Sequence, residues 1–89
     1  MKATKDMILR EVAGEHILVP TGEAAIQFQG VITLNDSGLL IWNRLQEDCT
    51  EAQLVDAVLA EYEIDAETAV ADVRKFLEQM KQAGILLEQ

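Results

Sequence analysis

The chain has 89 residues, 49% of them hydrophobic, and a formal net charge of −9. This size allows one domain, and this apolar fraction suffices for one core, which excludes a disordered chain. The acidity excludes a nucleic-acid surface built on clustered Lys and Arg, and no apolar run approaches the ~18 residues of a membrane span.

Residues 1–48 hold 4 Lys/Arg against 7 Asp/Glu, and residues 49–89 hold 3 against 9, so the C-terminal half is the more acidic. Acidity of this kind points to a protein partner of basic character, or to solubility. Met1–Asp6 lacks the apolar stretch of a signal peptide, and the single Cys49 cannot form an internal disulfide. A reducing, cytoplasmic setting is therefore expected.

Met7–Val12 reads as a first strand and His16–Val19 as a second, joined by a turn at Ala13-Gly14-Glu15. Pro20 ends the pairing because it has no N–H to donate. From Ala24 the chain keeps one parity: Ala24, Ile26, Phe28, Ile32 and Leu34 are apolar, while Gln27, Gln29, Thr33 and Asn35 are polar. This alternation predicts two short strands, 24–28 and 31–34, bent at Gly30, with 31–34 at the sheet edge. Gly30–Ser37 is the pivot of the chain. Up to Leu34 the spacing is that of a strand, and beyond Asn35-Asp36, which sit where an N-cap belongs, it is helical.

The first long helix is expected over Ser37–Gln46, apolar around more than half its circumference and hence central. Thr50 with Gln53 forms a capping box for a second helix carrying Leu54, Val55, Val58, Leu59 and Tyr62. Asp65 can cap a third, whose apolar side holds Ala69, Val70, Val73, Phe76, Leu77, Met80 and Ala83, and whose outer side shows Asp72, Lys75, Glu78 and Gln79. Gly84 stands where a left-handed residue closes a helix, and Ile85-Leu86-Leu87 returns to the core or sheet. The fold class is therefore α+β. Three antiparallel strands, or four if 24–28 is one, precede three α-helices in a winged helix-turn-helix-like order within one domain of residues 1–89.

Little in this chain suggests catalysis. His16 has no second histidine with which to build a metal site, Cys49 stands alone between helices, and no glycine-rich phosphate loop is present. The carboxylates lie mainly on solvent-facing helical positions. Asp36-Ser37 resembles the serine site of acyl carrier proteins. There a helix precedes the serine, whereas here the preceding periodicity is that of strands, and Gly38 replaces the usual leucine.

The whole chain resembles the PqqD family, the peptide-recognition element of ribosomally made, modified peptides. The matching residues are I-L-R-E-V-A-G-E (Ile8–Glu15), H-I-L-V-P (His16–Pro20), G-V-I-T-L-N-D-S-G (Gly30–Gly38) running into Ile41 and Trp42, and D-V-R-K-F-L-E-Q-M-K-Q-A-G-I-L (Asp72–Leu86). Thr21–Gln29 is longer than in the shortest family members. The resemblance implies a domain, not itself an enzyme and without a cofactor, that binds the leader of a precursor peptide. It would present that leader to a modifying enzyme, often a radical S-adenosylmethionine (radical SAM) enzyme. It further implies that the leader adds as a strand beside Val31, Ile32, Thr33 and Leu34, facing Val70, Val73, Arg74 and Leu77 of the last helix. Arg74 would then meet an acidic leader residue, a contact worth ~1–3 kcal/mol when shielded.

The residues support a peptide binder independently, because an unpaired strand edge bonds any extended backbone. Two readings compete. A winged-helix DNA binder is disfavoured by the acidic outer side of its would-be recognition helix. A dimerisation module would make a homodimer through a wide apolar face.

Overall fold

The computed structural model describes residues 1–27 and 30–87. In chain order come β1 (Lys2–Ala3), β2 (Met7–Val12), β3 (Glu15–Pro20), α1 (Gly22–Gln27), β4 (Ile32–Leu34), α2 (Asp36–Arg44), α3 (Glu51–Glu61), α4 (Ala66–Gln82) and β5 (Leu86–Leu87). This is the α+β class read from the sequence: a small antiparallel sheet followed by three long helices.

β3 is the central strand of the sheet β2-β3-β4. Met7 stands opposite Pro20 and Leu9 opposite Leu18. Leu18 in turn opposes Ile32, and His16 opposes Leu34. Opposed residues share a face, so Met7, Leu9, Leu18, Ile32 and Leu34 turn together toward the helices. The other face shows Ile8, Val12 and Thr33 to solvent. β2 and β3 are joined through Ala13 and Gly14 alone, with φ of 53° and 81°. Two positive values in a two-residue loop make the turn type whose twist matches the flanking strands. Gly14 adopts this without cost, but Ala13 does so against its Cβ.

Each long helix starts on the residue type that the chain offers for it. Asn35 Oδ1 accepts from the Gly38 N–H at 2.7 Å, so Asn35 rather than Asp36 is the cap of α2. At α3 the Gln53 N–H donates to Thr50 Oγ1 at 3.2 Å, and the Thr50 N–H donates to Gln53 Oε1 at 2.9 Å, closing a reciprocal capping box. Asp65 accepts from the Thr68 N–H at 2.7 Å at the start of α4. Hydrogen bonds from Thr68 hold the Asp65 carboxyl below the usual carboxylate range. At the far end Gly84 takes φ 73°. There the Gly84 N–H donates to Lys81 O at 3.1 Å and the Ile85 N–H to Met80 O at 3.0 Å, the paired bonds of a Schellman closure. Between the inner sheet face and the helices lie Leu18, Ile41, Leu45, Leu54, Val58, Val73, Met80 and Ile85, all fully buried.

Two elements differ from the sequence expectation. Residues 24–27 are not strand but part of α1; the end of that expected strand, Phe28, lies outside the described residues, as does Gln29. Glu23, Ala24, Ala25 and Gln27 all favour helix, and the Ala25 N–H donates to Thr21 O at 3.3 Å. Over Gly22–Gln27, propensity and a first helical bond outweigh the alternation that runs from Ala24 and Ile26 on through Phe28 to Ile32 and Leu34. The second difference is β1, which pairs with β5 through Lys2 opposite Leu87 and Ala3 opposite Leu86. The Ala3 N–H also donates to Leu45 O at 2.8 Å, and the Thr4 N–H to Ile85 O at 2.9 Å. Residues 2–4 and 85–87 are thereby bound together at the core. Among the described residues no helix is long and apolar enough to cross a membrane.

Replacing Ala13 with Asn, which tolerates positive φ, should stabilise the hairpin by about 0.5–1 kcal/mol. A thermal melt should show Tm raised by a few degrees, and Ala13→Val should lower it.

Candidate peptide-binding cleft

Only Asn35 separates the end of β4 from the start of α2. The chain therefore leaves the sheet at once, and among the described residues β4 has a strand partner on one side only, β3. Among the described residues no backbone hydrogen bond reaches Ile32, Thr33 or Leu34 from outside that pairing. The free margin carries unused N–H and C=O groups, which is the condition for adding a further strand.

Beside this corner lies a cleft of about 500 Å³. One wall is Thr33 and Leu34 of β4 with Asn35, Asp36, Ser37 and Gly38 of the corner. The opposite wall is α4, through Asp72, Lys75, Phe76 and Gln79. Gly14, Glu15 and His16 close the end nearest the hairpin. The four α4 residues are spaced by three and four, so they form one stripe along the helix. Phe76 is 8% exposed and belongs both to this stripe and to the core.

The width of the corner is set by a close contact. A Cβ on Gly38 would lie 3.2 Å from Phe76 Cε1 and 3.0 Å from Asn35 Oδ1. Without that atom, α2 can approach α4 until the Phe76 ring reaches its backbone. Asn35 Oδ1 also accepts from Ser37 Oγ at 3.1 Å, so the capping oxygen is held from both sides.

Of the residues expected at the site, the structure brings Thr33 and Leu34 to the cleft. Ile32 is buried in the core, and Val31, just before β4, is 53% exposed. On α4, Val73 and Leu77 are core residues, Val70 is half-buried, and none of the three lines the cleft. Arg74 faces α3, where its Nε donates to Glu51 Oε1 at 3.1 Å and its Nη2 to Glu51 Oε2 at 3.5 Å. The apolar stripe of Val73 and Leu77 packs into the core. The stripe facing the cleft is one helical step round and mostly polar, so apolar periodicity could not reveal it. The available signal was Phe76, which flanks both stripes, opposite a glycine.

His16 is half-buried at the cleft, its Nε2 3.9 Å from Glu11 Oε2. Cys49 is half-buried between α2 and α3, and burial pushes its thiol above the ordinary cysteine range, which keeps it protonated and poorly nucleophilic. Among the described residues no three His, Cys, Asp or Glu side chains come together as metal ligands do.

The family model described as coenzyme PQQ synthesis protein D (PqqD) matches residues 15–86. Among solved structures, TbiB1 in complex with the TbiA(beta) leader peptide is similar, with a TM-score of 0.78 and 27% identity over 100% of this chain and 98% of that one. Lasso peptide synthetase B1 complexed with the leader peptide is also similar, with a TM-score of 0.75 and 20% identity over 98% of this chain and 96% of that one. No curated protein matches the chain.

Gly38→Val should destabilise the fold by about 1–3 kcal/mol, because the added carbons meet Phe76 and the cap, outweighing the gain in helix propensity. Chemical denaturation checks this; an unchanged midpoint would show that α2 and α4 are not in close contact.

Proposed function

The chain belongs to the PqqD family, and on that premise we propose that it captures the leader segment of a ribosomal precursor peptide by strand addition to β4. The observation that carries this reading is the strand margin that no described part of the chain covers, set beside a cleft walled by α4. The leader peptides held by the two similar structures support the same choice of ligand.

In this reading the guest backbone bonds to the free groups of Val31–Leu34, each bond contributing about 0.5–1.5 kcal/mol net. Its inward side chains enter the cleft between Thr33, Leu34 and the Asp72–Gln79 stripe. Val70, Val73 and Leu77 then act from below, by holding α4 at the right height. Arg74 is spent on Glu51 and does not touch the guest. The domain is a single non-catalytic unit that works in the cytoplasm. Its role is to fix the leader so that the core of the precursor reaches a modifying enzyme, for which the family suggests a radical SAM enzyme. Binding energy is thereby separated from chemistry, and the enzyme gains an effective local concentration of substrate.

The test is a titration of the isotopically labelled chain with the leader of the precursor peptide encoded beside its gene. Saturable amide shifts should centre on residues 31–34 and 72–79. Gln79→Trp, on the exposed wall, should weaken binding by about tenfold or more while leaving stability within ~0.5 kcal/mol. Shifts confined to the outer margin of β2, or undiminished binding by Gln79→Trp, would refute the placement.

A further inference from the structure

Resting on the strand-capture reading above, the charges of the cleft define the kind of segment it takes. Four formally charged side chains line it: Glu15 at the start of β3, Asp36 in the first turn of α2, and Asp72 and Lys75 on α4. Among the described residues, none of the three carboxylates makes an ion pair or a side-chain hydrogen bond. Two carboxylates elsewhere are engaged: Glu51 holds Arg74 and Asp65 caps α4. Arg74, the one arginine of α4, is turned away by that pairing and cannot neutralise the cleft.

Exposed acids on an open surface would simply be solvated. These line a slot beside unused backbone bonds and the edge of a buried ring, so a guest strand would bring its own side chains among them. The field of the whole chain has the same sign, with a net charge of −9, and steers cationic partners toward it.

We propose that the cleft selects a basic segment. Lys or Arg side chains of the guest meet Glu15, Asp36 and Asp72, an apolar side chain rests on Phe76, and a guest carboxylate is accommodated only opposite Lys75. This is the reverse of the acidic contact that Arg74 suggests when the sequence is read alone.

The test is selection of displayed random peptides, about a dozen residues long, against the intact chain at low ionic strength. Selected clones should be enriched in Lys and Arg and should perturb residues 31–34. Each Lys→Gln change in a clone should weaken binding roughly two- to fivefold, with the effect fading at high salt. The triple variant Glu15→Gln, Asp36→Asn, Asp72→Asn, checked for an unchanged melt, should select clones no more basic than the library. Neutral or acidic clones that still perturb residues 31–34 would overturn this inference and leave strand capture standing. A basic preference kept intact by the triple variant would overturn it as well, by assigning the preference to overall charge. If no clone perturbs residues 31–34, strand capture itself fails and this inference with it.

Discussion

Asn35 is the hinge of the molecule's logic. It alone separates β4 from α2, and its side-chain oxygen caps that helix at 2.7 Å. The chain turns away abruptly after β4, and no other described strand lies beside that margin. Because Gly38 follows three residues later, the new helix can lean on Phe76 and hold α4 alongside the same margin. An open edge, a corner and a facing helix all follow from one cap and one missing Cβ.

This arrangement explains why α4 carries two different stripes. Ala69, Val73, Leu77 and Met80 face the core, and their burial, each large side chain contributing about 1.5–3 kcal/mol, is what fixes the helix in place. Asp72, Lys75 and Gln79 face the cleft and contribute little to stability, since exposed polar side chains rarely do. Phe76 lies between the two and couples them: it closes the core from above and floors the cleft. A surface free of structural duty is free to specialise for a ligand, and Asp72, without an ion pair among the described residues, lies on it.

Much of the framework was legible in the sequence because it depends on local chemistry. Thr50 with Gln53, Asp65, and Gly84 before Ile85 each announce a helix end through hydrogen bonds that span only a few residues. The Ala13-Gly14 turn is equally local. What escaped depends on distant partners or on weak statistics. β1 is two residues long, too short to show a period, and it exists because it meets β5, the expected return of Ile85-Leu86-Leu87, more than eighty positions away. α1 was hidden by the alternation that Ala24 and Ile26 share with Phe28, Ile32 and Leu34, in a stretch whose composition favours helix. The cleft wall was missed because apolar periodicity marks what is buried. The cleft along the adjoining polar stripe becomes visible only once the opposite wall is in place.

The central claim is that the free margin of β4, and no other, receives the guest backbone. The sheet has a second outer margin on β2, which supplies an internal control. Amide hydrogen exchange should therefore be measured residue by residue with and without saturating leader peptide. The account predicts exchange slowed by about tenfold or more within residues 31–34 while Met7–Val12 is unchanged. Slowing along β2 with none in β4 would contradict it.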